Sequence, residues 1–290
     1  MKNNSSKKYV IITGANSGIG FELAKKLINE NYRVILACRD NKKGFEAEKK
    51  LGINSKFMKL DLSSYSSIDS FSKKLRKDKV LIHCLINNAG IMFHPNNILD
   101  SGINITFFVN YISYFYLTLK IIDLLENNND SKVINVSSIS SYSIKKFDWK
   151  FFNPQSSDNS LNYRRELYAY TNIFRLMFSM ELSKILKEKN YSTKSIACHP
   201  GVVKSNLGRH VFISRFIYKL PILPSTSYGV LPIYESLTNS KLNGGEFIGF
   251  DTKKQWKGNP IEVEPNPICK DDNLRNLLWG KTSALTGINL

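Results

Sequence analysis

The chain is poor in the residues that mark several protein classes. Four cysteines and four histidines stand among its 290 residues. No CxxC pair and no His/Cys grouping at zinc-ligand spacing occurs, so no disulfide scaffold and no metal site is expected. Three of the cysteines fall in apolar runs, where a reduced thiol packs as a small hydrophobe, and this favours a reducing compartment. Acid is scarce as well: 24 Asp and Glu face 41 Lys and Arg, for a net charge of +17. Such an excess suits nucleic acid or an anionic membrane. The lysines, however, are spread along the chain among many asparagines, and no helix-turn-helix, RNP or zinc-finger pattern occurs. Specific nucleic-acid binding is therefore not expected. Long uninterrupted apolar runs are missing too. MKNNSSKK (1–8) is a polar tail that leads straight into YVIIT, leaving no signal-peptide core. ITFFVNYISYFYLTL (105–119) carries polar interruptions that suit a buried helix better than a membrane span. The expectation is a soluble cytoplasmic protein, with peripheral membrane contact through 211–224 as its one route to a bilayer.

What is present is alternation. Short apolar runs at 9–13, 33–38, 56–61, 79–87, 132–137, 194–199 and 245–250 are separated by amphipathic stretches such as FELAKKLINEN (21–31). That pattern predicts one α/β domain over 1–290, a Rossmann-type doubly wound parallel sheet of about seven strands with helices on both faces. The irregular segment 147–165 is long enough to be an active-site loop. The aromatic, basic segment 208–224 reads either as a packed amphipathic helix or as a flap over an apolar substrate.

After the first strand comes TGANSGIG (13–20). Its glycines let the backbone turn tightly, approach a pyrophosphate and pack the next helix, whose N-terminus favours an anion. The spacing GxxxGxG, with NNAG (87–90) after the fourth strand, resembles the short-chain dehydrogenase/reductase family. ACRD (37–40), LDLSS (60–64), VNYISYFYLT (109–118), VINVSSISS (133–141) and HPGVVKSNLGR (199–209) extend the resemblance in order, toward the branch of retinol dehydrogenases and WW-domain-containing oxidoreductases. The resemblance implies a nicotinamide dinucleotide held by Gly14, Asn16, Ser17, Gly18, Ile19 and Gly20. It adds Asp61 and Leu62 near the adenine, Asn88, Ala89 and Gly90, and Pro200, Gly201, Val203 and Ser205 near the nicotinamide. A carboxylate at the end of the second strand suits a ribose 2′-hydroxyl, whereas a guanidinium suits a 2′-phosphate. Arg39 stands at that corner, so NADP(H) is expected over NAD(H).

In that family a serine polarises the reacting oxygen, a tyrosine carries the proton, a lysine four residues on lowers the tyrosine pKa, and an asparagine holds a relay water. Ser138 and Asn110 match the serine and the asparagine. Aligned through its apolar positions and its Glu181-Leu182 pair, YAYTNIFRLMFSMEL places Tyr170 as proton donor and Phe174 where the lysine belongs. Tyr168 is read as core or substrate-facing and Arg175 as a surface charge. Tyr142 and Lys146 form a literal YxxxK, but begin only four residues after Ser138 and are set aside. The expected activity is hydride transfer to or from an apolar carbonyl or alcohol of retinoid, steroid or lipid type, weakened by the missing lysine. The alternative is an impaired dinucleotide binder acting as a sensor or interaction module.

Overall fold

The computed structural model describes residues 9–95, 98–126, 130–152, 158–204 and 223–290. Seven strands fall where the apolar runs lie: β1 (Tyr9–Thr13), β2 (Arg33–Cys38), β3 (Ser55–Lys59), β4 (Ile82–Asn87), β5 (Lys132–Val136), β6 (Lys194–Cys198) and β7 (Phe247–Phe250). An eighth, β8 (Pro260–Glu262), adds an edge that was not anticipated. It is three residues long and starts with proline, which only an edge or a strand start tolerates. The order is β3-β2-β1-β4-β5-β6-β7-β8, with parallel neighbours up to β7 and an antiparallel β7–β8 pair.

Both faces are covered, which is why the inner strands read as continuous apolar runs. Val10 and Ile12 pack with Val34 and Leu36 beneath α1 (Gly18–Asn29), α2 (Asn41–Leu51) and the helix at Val230–Thr238. Ile11, Ile35 and Val133 face the other way, toward α3 (Tyr65–Lys77), α4 (105–126) and α5 (Leu161–Glu188). In chain order the Val230–Thr238 helix is α6, and α7 (Asp272–Thr286) closes the second layer.

Helix α4 begins at Ile105–Phe107, passes through a π-helical stretch at Phe108–Ile112 and continues over Ser113–Glu126. Its apolar length would cross a bilayer, but its Ile105–Leu125 window is 89% buried, so it is a core helix. Helix α5 starts at Leu161 after a Ser160 cap that accepts from the Tyr163 amide at 3.2 Å, so the expected 147–165 loop is shorter than its sequence suggests. Most of the 208–224 flap lies outside the described residues.

Candidate active site

The chain runs from β1 outward through β2 and β3, then crosses back to β4 on the other side of β1. In open α/β sheets the carboxyl ends at such a reversal form a binding crevice. Thr13, at the end of β1, ties this edge together. Its Oγ1 accepts from the amides of Asn88 and Ala89, both at 2.9 Å, and Asn88 Nδ2 donates to the Thr13 carbonyl at 2.8 Å.

The resulting cleft of about 640 Å³ is lined by Gly14, Asn16, Ser17, Gly18, Ile19 and Gly20, by Asn88, Ala89 and Gly90, and by Pro200, Gly201 and Val203. A side compartment of about 160 Å³ holds Arg39, Asp61 and Leu62. Each expected cofactor contact among the described residues thus borders one of these spaces; Ser205 lies outside them. At Gly18 the backbone φ is +59°, and no atom lies within 4 Å of where a Cβ would stand, so the turn is open on its cleft side. Gly20 is the opposite case. A Cβ there would meet Asn88 Nδ2 at 2.7 Å and the Gly14 carbonyl at 2.9 Å, so glycine lets α1 close onto the turn. No side-chain bond from Ser17 caps α1, whose amide end therefore suits an anion.

Ser138 lines the cleft at the end of β5, and its Oγ accepts from the Ser140 amide at 3.2 Å. Asn110 lies in the π stretch of α4 and is fully buried. Its side chain is occupied: Oδ1 accepts from the Ile91 amide at 2.9 Å, while Nδ2 donates to the Ile91 carbonyl at 2.9 Å and to Thr171 Oγ1 at 3.2 Å. Its main-chain carbonyl is occupied as well, accepting from Arg175 Nε.

Helix α5 requires a correction. Tyr170 does not reach the main cleft. It is 2% exposed, packs against Phe147, Phe151 and Phe174, and donates to the Lys146 carbonyl at 3.0 Å. Burial raises its pKa, with Asp148 and Glu166 adding to the effect, the reverse of what an ionising tyrosine needs. Phe174 is likewise core, among Phe107, Tyr111 and Phe152. Tyr168 is the tyrosine that lines the cleft, beside Ser138, and four residues on from it stands Asn172.

Arg175 also departs from expectation: it is 3% exposed and lines the cleft. A helix turns 100° per residue, so Tyr168, Asn172, Arg175 and Ser179 at i, i+4, i+7 and i+11 form one polar stripe. Tyr170, Ile173, Phe174 and Met177 form the apolar one. The polar stripe was legible as spacing; an alignment guided by the apolar residues overlooked it. The literal YxxxK pair is elsewhere, since Tyr142 donates to the Glu264 carbonyl at 2.6 Å and borders neither compartment of the cleft.

Burial pushes the thiols of Cys38, Cys198 and Cys269 up to about 12, and Cys84 is raised as well. His199 is fully buried, bonds Gln255 Oε1 at 2.7 Å, and burial lowers its pKa to about 4. It accepts from the Gly201 amide at 3.2 Å and so shapes the Pro200–Gly201 wall as a neutral ring.

Comparison with known proteins agrees with this geometry. The short chain dehydrogenase family matches residues 8–147. Retinol dehydrogenase 12 of Bos taurus is 31% identical, over 97% of this chain and 87% of the relative. Retinol dehydrogenase 11 of Homo sapiens is 35% identical over 73% and 66% respectively. Among solved structures, an uncharacterized protein from Mycobacterium paratuberculosis superposes with a TM-score of 0.80 at 26% identity, covering 97% of this chain and 94% of that one. A short-chain dehydrogenase from Sphingobium yanoikuyae in complex with NADPH shares the fold, with a TM-score of 0.63 at 21% identity over 81% of this chain and 86% of that one. With the glycine turn, the switch-point cleft and relatives of this identity over nearly the whole length, the chain belongs to the short-chain dehydrogenase family of oxidoreductases.

Proposed function

We propose that the protein is an NADP(H)-dependent oxidoreductase that reduces an apolar carbonyl, or oxidises the corresponding alcohol, of retinoid, steroid or lipid type. The observation that carries this reading is the cleft itself: a glycine turn at an uncapped helix end and a serine–tyrosine pair share one wall system. The dinucleotide would be held by the 14–20 turn, by Asn88–Gly90 and by Pro200–Val203, with Asp61 and Leu62 at its adenine end. When bound it supplies the hydride.

Preference for the 2′-phosphorylated form rests on the corner after β2. Asp40 accepts from the Lys43 amide at 3.0 Å as the cap of α2 and is committed there. Arg39 is exposed at the side compartment and offers a planar fork to a phosphate.

In the reductive direction the substrate carbon gains the hydride while its C=O becomes a C–O single bond. The oxygen takes the proton of Tyr168, and the phenolate regains one from solvent. Ser138 polarises that oxygen by a hydrogen bond. Met92, Phe93 and Ile139 extend the wall beside Tyr168 and give an apolar substrate its contact surface. Asn110 has a positioning role, clamping the 90–92 turn beneath the cleft.

The retinol dehydrogenase names of the relatives support an apolar substrate and favour an enzyme over an impaired dinucleotide binder. Two measurements test the reading. NADPH should bind with quenching of tryptophan or enhancement of nicotinamide fluorescence, and a panel of retinal, steroid ketones and medium-chain aldehydes should oxidise NADPH in steady state. Absence of NADPH binding at low salt would overturn it.

A further inference from the structure

The guanidinium of Arg175 is buried without a carboxylate. Its Nε donates to the carbonyl of Asn110 within the π stretch, and Nη1 donates to the Val136 carbonyl at 3.1 Å and to Asn172 Oδ1 at 3.2 Å. Nη2 points to the Ala89 carbonyl at 3.4 Å and lies 3.0 Å from where a Cβ of Gly90 would stand. The fork is stacked over the Tyr114 ring at 4.5 Å. All of these partners are neutral, and among the described residues no Asp or Glu pairs with Arg175 or lines the 640 Å³ compartment. The titratable neighbours are Tyr114 and Tyr168, with Arg165 also on the wall. Tyr114 donates to the Ala89 carbonyl at 2.5 Å and is raised to about 12, burial outweighing the opposing pull of Arg175.

Burying a cation is costly unless an opposite charge or a full set of acceptors offsets it. Here carbonyls from the ends of β4 and β5 and from the widened turn of α4 provide that set. A purely structural arginine would be better served by an acid; a cation left unneutralised keeps its field. Arginine cannot lose its proton in a protein, so this field is independent of pH.

We infer that Arg175 is the buried fixed positive charge of the cleft, standing in electrostatically for the family lysine that four-residue spacing from Tyr168 would put where Asn172 is, and favouring the reduced, neutral nicotinamide over the oxidised, cationic one. It follows that the site is biased toward carbonyl reduction. The same field lowers the cost of negative charge on the substrate oxygen as the proton moves. Arg175 acts as a positioning charge, whereas Tyr168 is the group that touches the reacting oxygen. The inference rests on the dinucleotide reading above.

The test compares dissociation constants for NADPH and NADP+ by fluorescence and calorimetric titration in the full chain, Arg175→Met, Arg175→Gln and Arg175→Lys, with circular dichroism as the fold control. The parent should prefer NADPH, and Arg175→Met should shrink the ratio of the two constants about tenfold, the effect of one charge across a partly screened site. The lysine variant should keep the parent ratio at pH 6 and lose it as pH rises, because a buried lysine deprotonates below its usual range. An unchanged ratio in folded Arg175→Met overturns the inference while leaving the dinucleotide reading intact. So does a folded Arg175→Gln whose ratio equals the parent's, which decides the matter alone if the methionine variant does not fold. Failure of the parent to bind NADPH overturns the functional reading and this inference with it.

Discussion

At the scale of single residues, Tyr168 and Tyr170 of α5 differ in place: Tyr168 lines the cleft, whereas Tyr170 is held in the aromatic core. Tyr168→Phe removes the proposed proton donor and should lower kcat on a carbonyl substrate by about 10²–10⁴, with NADPH affinity retained. Tyr170→Phe should leave turnover near the parent value and cost about 1 kcal/mol of stability, the worth of its bond to the Lys146 carbonyl. Steady-state rates and denaturant melts on the two variants separate these outcomes. His199 makes a prediction about pH. Its folded pKa of about 4 lies below the unfolded value near 6.5, so the unfolded chain binds the extra proton between those limits. The sign is that stability is complete above pH ~6.5 and falls as pH drops toward 4, by about 3 kcal/mol at most. Urea unfolding at pH 7 and pH 5 should show the loss, and His199→Gln should flatten that slope.

At the scale of elements, α5 and α7 are joined by a buried ion pair. Arg275 Nε meets Glu181 Oε2 at 3.2 Å, and Nη1 donates to the Cys269 carbonyl at 2.8 Å. Glu181→Ala leaves the buried Arg275 with the exposed Asp272 as its remaining carboxylate, and should destabilise the fold by about 1.5–3 kcal/mol. Thermal melting of the variant checks this. The glycine turn has its own element-scale test. Gly20→Ala forces α1 away from Asn88 and the Gly14 carbonyl, so NADPH affinity should fall at least tenfold with the helical signal kept.

Legibility also divides at this level. The strands declared themselves because apolar runs buried on both faces have no other good home. The phosphate turn did so because its glycines sit between a strand and a helix. Helix α5 did not, because it is buried nearly all round over 167–179 and both of its stripes carry a tyrosine. Sequence cannot rank two buried faces until the packing partners are known: the aromatic cluster for Tyr170, the strand ends for Tyr168. Arg175 was misread for a related reason, since the acceptors that hold it are main-chain carbonyls, which leave no mark in side-chain composition. The edge strand β8 was too short to register.

At the scale of the whole molecule, the net charge of +17 gives the protein a positive field toward a polyanionic dinucleotide. Such a field speeds encounter with phosphates and is screened by salt. The association rate of NADPH should therefore fall roughly tenfold between low and physiological ionic strength, with a smaller change in dissociation, as stopped-flow fluorescence can measure. Behind the site the sheet is held by polar side chains as well as apolar ones. Asn87 Nδ2 donates to Asn135 Oδ1 at 3.0 Å, and Asn135 Nδ2 to Ser179 Oγ at 3.2 Å, fixing β4, β5 and α5 in one register.

The stripe that carries Tyr168, Asn172 and Arg175 on one helix limits which substitutions it can accept. A lysine introduced at 172 would lie one turn from the guanidinium now bonded to Asn172 Oδ1, two cations with no acid between them. Asn172→Lys alone should thus be worse than the parent, and become tolerable only when Arg175 is made neutral. The two positions should therefore behave epistatically, the helix face accommodating one cation at 172 or at 175 but not both.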